Sequence, residues 1–155
     1  MQRQDGDFRS VIEPIVQAVV APYGGNPKGI PNEDSDSFEF DETNLFSLNK
    51  FPGLDRWESG PRVNAGLRAA QYFSGDNFVE MILGQTYRFK ENNAFTLESG
   101  LRDQQSDFVG RFTFQPMENF RIVHRFRLDK ETLDYERSEV YLEAQDGDLY
   151  RFKAS

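Results

Sequence analysis

The feature of this sequence that most constrains its fold is an alternation of apolar and polar side chains over stretches of about ten residues. Successive side chains of a β-strand point to opposite faces, so a period of two predicts strands with one apolar and one polar face. The alternation is clearest in residues 61–73, 77–89, 107–115 and 119–128, and is less regular in residues 8–21 and 133–144. No segment shows a helical stripe, and the sequence therefore predicts an all-β protein.

Two irregularities stand out in the weaker segments. Pro14 cannot donate a hydrogen bond to a neighbouring strand, so it predicts a bulge or a weakly paired stretch. Tyr135 and Tyr141 fall on the charged side of the segment 133–144.

The predicted connections alternate between long and short. Residues 22–60 and 90–106 form long external loops, residues 129–132 an intermediate one, and residues 74–76, 116–118 and 145–148 short turns. Because every second connection of an antiparallel meander lies at the same end, the short turns share one end and the longer loops share the other. Bacterial outer-membrane barrels have this asymmetry.

The predicted strand lengths also favour a membrane barrel. A tilted strand needs about 9 to 11 residues to cross hydrocarbon, whereas soluble strands average about 5 to 6. Six phenylalanines fall near strand ends, where the aromatic girdles of such barrels lie: Phe73, Phe89, Phe108, Phe114, Phe120 and Phe126. We predict an antiparallel up-and-down meander of about seven long strands. Because barrels start at about 8 strands, residues 1–155 are expected to be a segment of a larger transmembrane β-barrel.

A soluble antiparallel β-sandwich that acts as a binding module is the alternative interpretation. The same apolar positions would then be buried between two sheets. A sandwich would be monomeric in water, whereas a barrel segment would aggregate through its unpaired strand edges.

Composition excludes several classes of function. The 155 residues contain no Cys and a single histidine, His124, which excludes disulfides, thiolate sites and multi-histidine metal sites. Lys and Arg total 18 against 26 Asp and Glu, giving a net charge of −8, so nucleic acid is a poor partner. Neither a Gly-x-Ser-x-Gly nucleophile motif nor a phosphate-cradling glycine loop is present. We predict no enzyme activity, no cofactor and no metal.

The sequence shows neither a spanning helix nor an export signal. Its longest apolar run, Ala18 to Ala21, is far shorter than the about 20 residues of a spanning helix or the about 7 to 15 of a signal peptide. We therefore expect either a cytoplasmic chain or a sequence whose true amino terminus lies upstream, and the barrel interpretation requires the second.

The first long loop combines acidic and aromatic residues. Six carboxylates within Glu33 to Glu42 could ligate Ca²⁺, but their spacing matches no EF-hand, and a solvated acidic loop is the favoured interpretation. Interleaved apolar residues predict that the loop folds onto another part of the protein, such as the barrel mouth: Phe38, Phe40, Leu45, Phe46 and Phe51.

If the apolar faces meet lipid, the polar faces project into the lumen, since Lys or Arg at the lipid midplane costs about 2 to 4 kcal/mol. The candidate lumen-facing residues are Arg62, Asn64, Arg68, Glu80, Arg88, Arg111, Arg121, Arg125 and Arg127. Their guanidinium groups could bind the phosphates and acidic sugars of a glycolipid. A structural lattice of arginines and carboxylates, or contact with a plug protein, is the alternative for each residue. His124 falls on the lipid-facing pattern.

A set of loop residues carries a resemblance to a known family. It comprises Pro31, Asn32, Asp34, Asp41, Asn44, Gly53, Asp55, Arg56 and Gly60, and is accompanied by Gly84-Gln85-Thr86-Tyr87 and Ser106-Asp107-Phe108-Val109-Gly110. In order and spacing these segments resemble the barrel domain of the lipopolysaccharide-assembly outer-membrane protein family, LptD, also called organic solvent tolerance protein, and its alphaproteobacterial members in particular.

The resemblance implies a large barrel in the bacterial outer membrane that delivers lipopolysaccharide to the outer leaflet. It implies three partners besides membrane lipid: lipopolysaccharide, a lipoprotein plug (LptE-type) and a periplasmic bridge protein (LptA-type). The amino-terminal jellyroll domain, the strands of the lateral opening and the closing strand have no counterpart in residues 1–155. The family's disulfides have none either, because the sequence lacks Cys.

Overall fold

The computed structural model describes residues 2–5, 8–26, 39–51, 56–146 and 148–154. The described strands are β1 (Gln2–Asp5), β2 (Phe8–Val19), β3 (Arg62–Tyr72), β4 (Phe78–Arg88), β5 (Phe108–Met117), β6 (Phe120–Leu128), β7 (Tyr135–Asp146) and β8 (Asp148–Ala154). One turn of 3-10 helix, Leu97–Ser99, is the only helical element in this part of the chain. The described residues include no helix with the length and apolar character needed to cross a membrane.

The eight described strands form one antiparallel sheet in sequence order, which confirms the predicted meander. Seven strands have 7 to 12 residues, and β1 is a short addition of 4. The described parts of loop 1 (residues 20–61) and loop 2 (residues 89–107) lie at one end of the sheet, and the described short turns between β3 and β4 and between β5 and β6 lie at the other. A single sheet is not a sandwich, so the sandwich alternative is wrong for the described chain.

The register divides the sheet into an apolar and a polar face. Directly opposed residues of an antiparallel pair point to the same face, and pairs such as Leu67 with Leu83 and Met81 with Phe112 build a continuous apolar face. Its side chains are exposed or half-buried, with Leu67 at 47% and Met81 at 42% exposure. No second layer of the described protein covers this face.

Aromatic side chains collect at both ends of the apolar face. Phe8 and Phe73 meet edge to face at 5.9 Å near the short turns, and Tyr87 and Phe89 do so at 5.9 Å near the long loops. Four of the six phenylalanines predicted near strand ends lie at or directly beside an end: Phe73, Phe89, Phe108 and Phe120. The other two, Phe114 and Phe126, lie two or three residues inside a strand.

Of the two alternatives predicted for Pro14, the bulge is wrong, whereas β2 has a described partner on one side only at this residue. Pro14 lies opposite Leu67 in an uninterrupted register. β1 pairs only with residues 8–11 of β2, so the second edge of β2 at Pro14 has no described partner. A residue without an N–H is tolerated on such an edge.

Tyr135 lies on the apolar face and not on the charged side. The register between β6 and β7 shifts between Arg127 and Leu128, which places Tyr135 opposite Leu128. Its ring lies 6.1 Å from that of His124 and 6.4 Å from that of Phe126. One extra residue in a strand exchanges the faces of all residues beyond it, which explains the difference.

The hydrophobic core lies between the two long loops and the polar face of the sheet. It consists of Phe40, Leu45 and Phe51 from loop 1, Phe95 and Leu101 from loop 2, and Val109 from β5. The rings of Phe51 and Phe95 stack at a centroid distance of 4.3 Å. The prediction that loop 1 folds back onto the protein is thus confirmed, and Phe38 lies outside the described residues.

Two opposed glycines allow loop 1 to pack closely against the sheet. A Cβ atom at Gly84 would overlap the Leu45 side chain, and one at Gly66 would lie 3.0 Å from the Phe46 ring. Gly66 and Gly84 face each other across β3 and β4. The loop therefore packs directly against backbone at this point.

Candidate functional site on the polar face

The polar face brings arginines directly opposite one another. Like charges at opposed positions repel, so each pair needs a carboxylate nearby. Three such pairs occur among the described residues: Arg62 with Arg88, Arg111 with Arg125, and Arg127 with Arg137. Each pair has a carboxylate from a long loop nearby: Glu58, Glu42, and Asp107 with Glu39, respectively. Strand carboxylates add to the second and third pairs, since Glu80 also contacts Arg111 and Glu139 also contacts Arg137.

Glu58 neutralises the first pair in a buried cluster. Its Oε2 atom lies 3.3 Å from Arg62 Nη2 and 3.4 Å from Lys50 Nζ, and its Oε1 atom pairs with Arg88. All four side chains are at most 2% exposed. Three cations thus share one carboxylate without access to water. Burial lowers the pKa of Lys50 to about 8, although Glu58 opposes this shift.

Amide and hydroxyl groups extend this cluster. Asn64 Oδ1 accepts hydrogen bonds from Lys50 Nζ at 3.3 Å and from Thr86 Oγ1 at 2.9 Å, and Asn64 Nδ2 donates to Gln17 at 2.7 Å. Arg88 Nη1 donates to the carbonyl of Leu101 in loop 2 at 2.9 Å. The cluster therefore ties both loops to the sheet.

Glu42 neutralises the second pair with weaker geometry. Its Oε1 atom lies 3.3 Å from Arg125 Nε and 3.7 Å from Arg111 Nη1, and its side chain is 2% exposed. Neither carboxylate oxygen accepts a hydrogen bond from another residue that the structure describes. Burial raises the pKa of Glu42, and Arg125 opposes that shift.

Asp107 and Glu39 neutralise the third pair. Asp107 Oδ2 lies 3.5 Å from Arg127 Nε, and Glu39 Oε2 lies 2.6 Å from Arg137 Nη2. Burial raises the pKa of Asp107 and Arg127 opposes the shift.

Away from the loops, the strands themselves supply the carboxylates. Glu143 of β7 accepts from Arg121 Nε at 2.8 Å and from Arg151 Nε at 2.8 Å. Glu80 of β4 pairs with Arg68 at 2.6 Å and with Arg111 at 3.2 Å. All of these side chains except Arg68 border an open groove of about 530 Å³ in the part of the polar face that the described loops leave uncovered.

The nine candidate lumen-facing residues all lie on this polar face. The half of the polar face near the long loops contains Arg62, Asn64, Arg88 and Arg127. The open groove is bordered by Glu80, Arg111, Arg121 and Arg125. Arg68 lies beside the groove and is ion-paired with Glu80. Their part in binding a glycolipid stays a prediction.

Four of the loop residues that carry the resemblance lie in the described chain. Asp41 Oδ1 accepts from the amide of Thr43 at 2.9 Å, and Asn44 Nδ2 donates to the carbonyl of Glu39 at 2.7 Å, so both shape a tight turn. The Arg56 carbonyl accepts from Asn49, and the Gly60 amide donates to Pro22. Outside the described residues lie Pro31, Asn32, Asp34, Gly53 and Asp55.

The expectation of a solvated acidic loop holds for Glu39, whose side chain is 65% exposed, and is wrong for Glu42. Glu42 is buried, and Glu39 and Asp41 also pair with arginines of the sheet. Outside the described residues lie Glu33, Asp34 and Asp36. No group of three or more metal-ligating side chains occurs in the described chain.

The sequence alone predicts no role for Lys50, Glu58 or Asp107. Glu58 belongs to the segment that carries the resemblance, but its three cations come from β3, β4 and elsewhere in loop 1. The excess of arginine on the polar faces of the strands could have indicated these residues, because so many positive charges require carboxylates from other segments as counter-ions.

Comparison with known proteins gives one consistent result. A family model described as LptD, LPS transport system D, matches residues 1–154. The chain is 34% identical over 85 residues to the LPS-assembly protein LptD of Aeromonas hydrophila subsp. hydrophila, which covers 54% of this chain and 10% of that protein. It is 30% identical over 108 residues to the protein of the same name from Burkholderia lata, with 66% and 14% covered. The protein of that name from Haemophilus ducreyi is 25% identical over 142 residues, with 81% and 18% covered. The chain thus spans less than a fifth of each relative.

Proposed function

The chain belongs to the LptD family, and on this premise we propose that its sheet is a segment of the wall of an outer-membrane barrel that conducts lipopolysaccharide to the outer leaflet. The family is one of outer-membrane transport proteins and not of enzymes. The observation that carries the proposal is the two-faced sheet. One face is apolar, exposed and rimmed by aromatic rings, and the other is lined by arginine.

The apolar face supports contact with hydrocarbon. An apolar patch that runs across several strands is unfavourable in water and marks contact with another apolar phase. The 9 to 12 residues of β2 to β7 suffice for tilted strands to cross a bilayer. The aromatic pairs at both ends match the two interfacial girdles of a membrane barrel.

The polar face supports a passage that is narrowed at the long-loop end. Loops 1 and 2 pack over β3 to β5 there, whereas the groove bordered by β3 to β8 stays open. In this proposal the remaining strands and the jellyroll domain lie outside residues 1–155. Lipopolysaccharide, the lipoprotein plug and the periplasmic bridge protein are its proposed partners.

Labelling of single cysteines tests which face meets lipid. In the full-length protein, a cysteine at Leu67 or Leu83 should react with a lipid-phase probe, and one at the neighbouring Arg68 should react with an aqueous probe. Leu67 and Arg68 form a matched pair, since they are adjacent in one strand and point to opposite faces. Reversed accessibility would overturn the proposal.

A further inference from the structure

The open groove on the polar face combines cationic and aromatic side chains. Its cationic border consists of Arg111, Arg121, Arg125 and Arg151, and its aromatic border of Tyr72, Phe78 and Tyr141. The arginine side chains are between 28% and 58% exposed, so a ligand can reach them. Guanidinium groups bind phosphate through paired N–H donors, and aromatic rings offer flat apolar surfaces.

The carboxylates of the groove do not use all of these donors. Arg121 and Arg151 share Glu143, and Arg68 and Arg111 share Glu80. Each guanidinium has five N–H groups, so two guanidinium groups carry more donors than one carboxylate accepts. The Nε atom of Arg111 is buried and has no hydrogen-bond partner among the described residues.

Glu42 lies where an anionic ligand would be expected. It reaches from loop 1 to Arg111 and Arg125, two of the groove arginines, at 3.7 and 3.3 Å. Because it accepts no hydrogen bond from another described residue, its attraction to them is mainly Coulombic. A phosphate that makes charge-assisted hydrogen bonds would satisfy the same guanidinium groups better.

We propose that this groove binds the phosphorylated part of a saccharide, and that Glu42 is a built-in competitor for two of its arginines. The ligand takes over Arg111 and Arg125, and Glu42 loses its counter-ions. This inference rests on the proposed function, because the polar face must line the passage for a saccharide to reach it.

Binding measurements on the full-length protein in detergent test the proposal. The probe is the phosphorylated saccharide that remains after alkaline deacylation of lipopolysaccharide, compared with the same saccharide after dephosphorylation and with inorganic phosphate. Arg121→Gln should weaken binding of the phosphorylated saccharide about tenfold, since it removes a charge-assisted contact. Glu42→Gln should strengthen it about fivefold, since it removes the competing charge.

Arg137→Gln is the matched control. Arg137 lies on the polar face of β7 and is ion-paired, but it does not border the groove. The affinity of this variant for the phosphorylated saccharide should stay within about twofold of that of the parent protein, because the removed charge lies outside the groove. Equal binding of the dephosphorylated saccharide, or equally tight binding of inorganic phosphate, would overturn the saccharide-phosphate assignment.

Unchanged or weaker binding in Glu42→Gln would overturn the competitor role. Lipid labelling at Leu67 in the same preparation distinguishes a failure of saccharide binding from a failure of the barrel proposal. If Leu67 is labelled from lipid and the affinities do not move, only this inference fails. If Leu67 is not labelled, the barrel proposal and this inference fail together.

Discussion

The two halves of the polar face neutralise arginine in different ways. At the long-loop end the carboxylates come from loops, and Glu58 with its three cations is sealed from water. In the open groove the strand carboxylates Glu80 and Glu143 make the closer ion pairs, and Glu42 of loop 1 adds only contacts of 3.3 Å or more. Arg121 there remains 45% exposed. Ion pairs between arginine and carboxylate therefore hold a loop on the sheet in one region, and leave arginine donors free to bind a ligand in the other. Burial decides between these outcomes, because a buried charge cannot exchange its partner for water.

The largest expected effect is that of removing the buried carboxylate. Glu58→Gln leaves Lys50, Arg62 and Arg88 without a counter-ion and should destabilise the docking of loop 1 by about 3 to 5 kcal/mol. Limited proteolysis of the full-length protein measures this as faster cleavage near Leu48, which is 72% exposed. Glu91→Gln, at an exposed site in loop 2, is the matched control and should leave the cleavage rate unchanged. Equal rates in both variants would contradict the difference between the two halves.

A change of pH is expected to have an intermediate effect on the stability of loop 1 docking. Lys50 has a pKa of about 8 when buried and 10.5 in the reference state, so the undocked loop binds more protons between these values. Docking is therefore least stable below pH 8 and should gain about 1.5 kcal/mol between pH 8 and 9.5. The ratio of cleavage rates at these two pH values measures the gain, with Lys50→Met as the reference that lacks this titration. A ratio that is the same in parent and variant would show that Lys50 does not titrate in this range.

The smallest expected effect is on stability in the open groove. Arg121→Gln should destabilise the protein by less than about 1 kcal/mol, because exposed ion pairs contribute little. Arg88→Gln, the same substitution at a buried pair, should cost about 3 to 5 kcal/mol. Thermal unfolding of the two variants in detergent gives the comparison. A large loss in Arg121→Gln would make the groove structural.

The sheet was predictable because its signal is local. The alternation in residues 61–73 and 77–89 requires only neighbouring residues, and it matches β3 and β4 closely. Tyr135 was misplaced because one extra residue in β7 inverts the pattern, and the composition of the segment does not indicate where that residue lies.

The polar network was predictable on one side only. The alternation identified the arginines of the strands. It did not identify Glu58 of loop 1, which pairs with two of them, or Lys50, which shares Glu58 with them. Glu58 lies 30 positions from Arg88 along the chain, and the two meet only once loop 1 has folded onto the sheet. The same non-local folding buries Glu42, which composition alone had assigned to a solvated segment.

The facing glycines at positions 66 and 84 leave two neighbouring strands without side chains at one point of the polar face, and Leu45 and Phe46 of loop 1 fill that space. A Cβ atom at Gly84 would meet the Leu45 side chain and would also lie 2.8 Å from the carbonyl oxygen of Ala65. A shorter residue at position 45 would relieve only the first of these contacts. Alanine at position 84 would therefore require the backbone of β3 to move, whatever side chain loop 1 places opposite it.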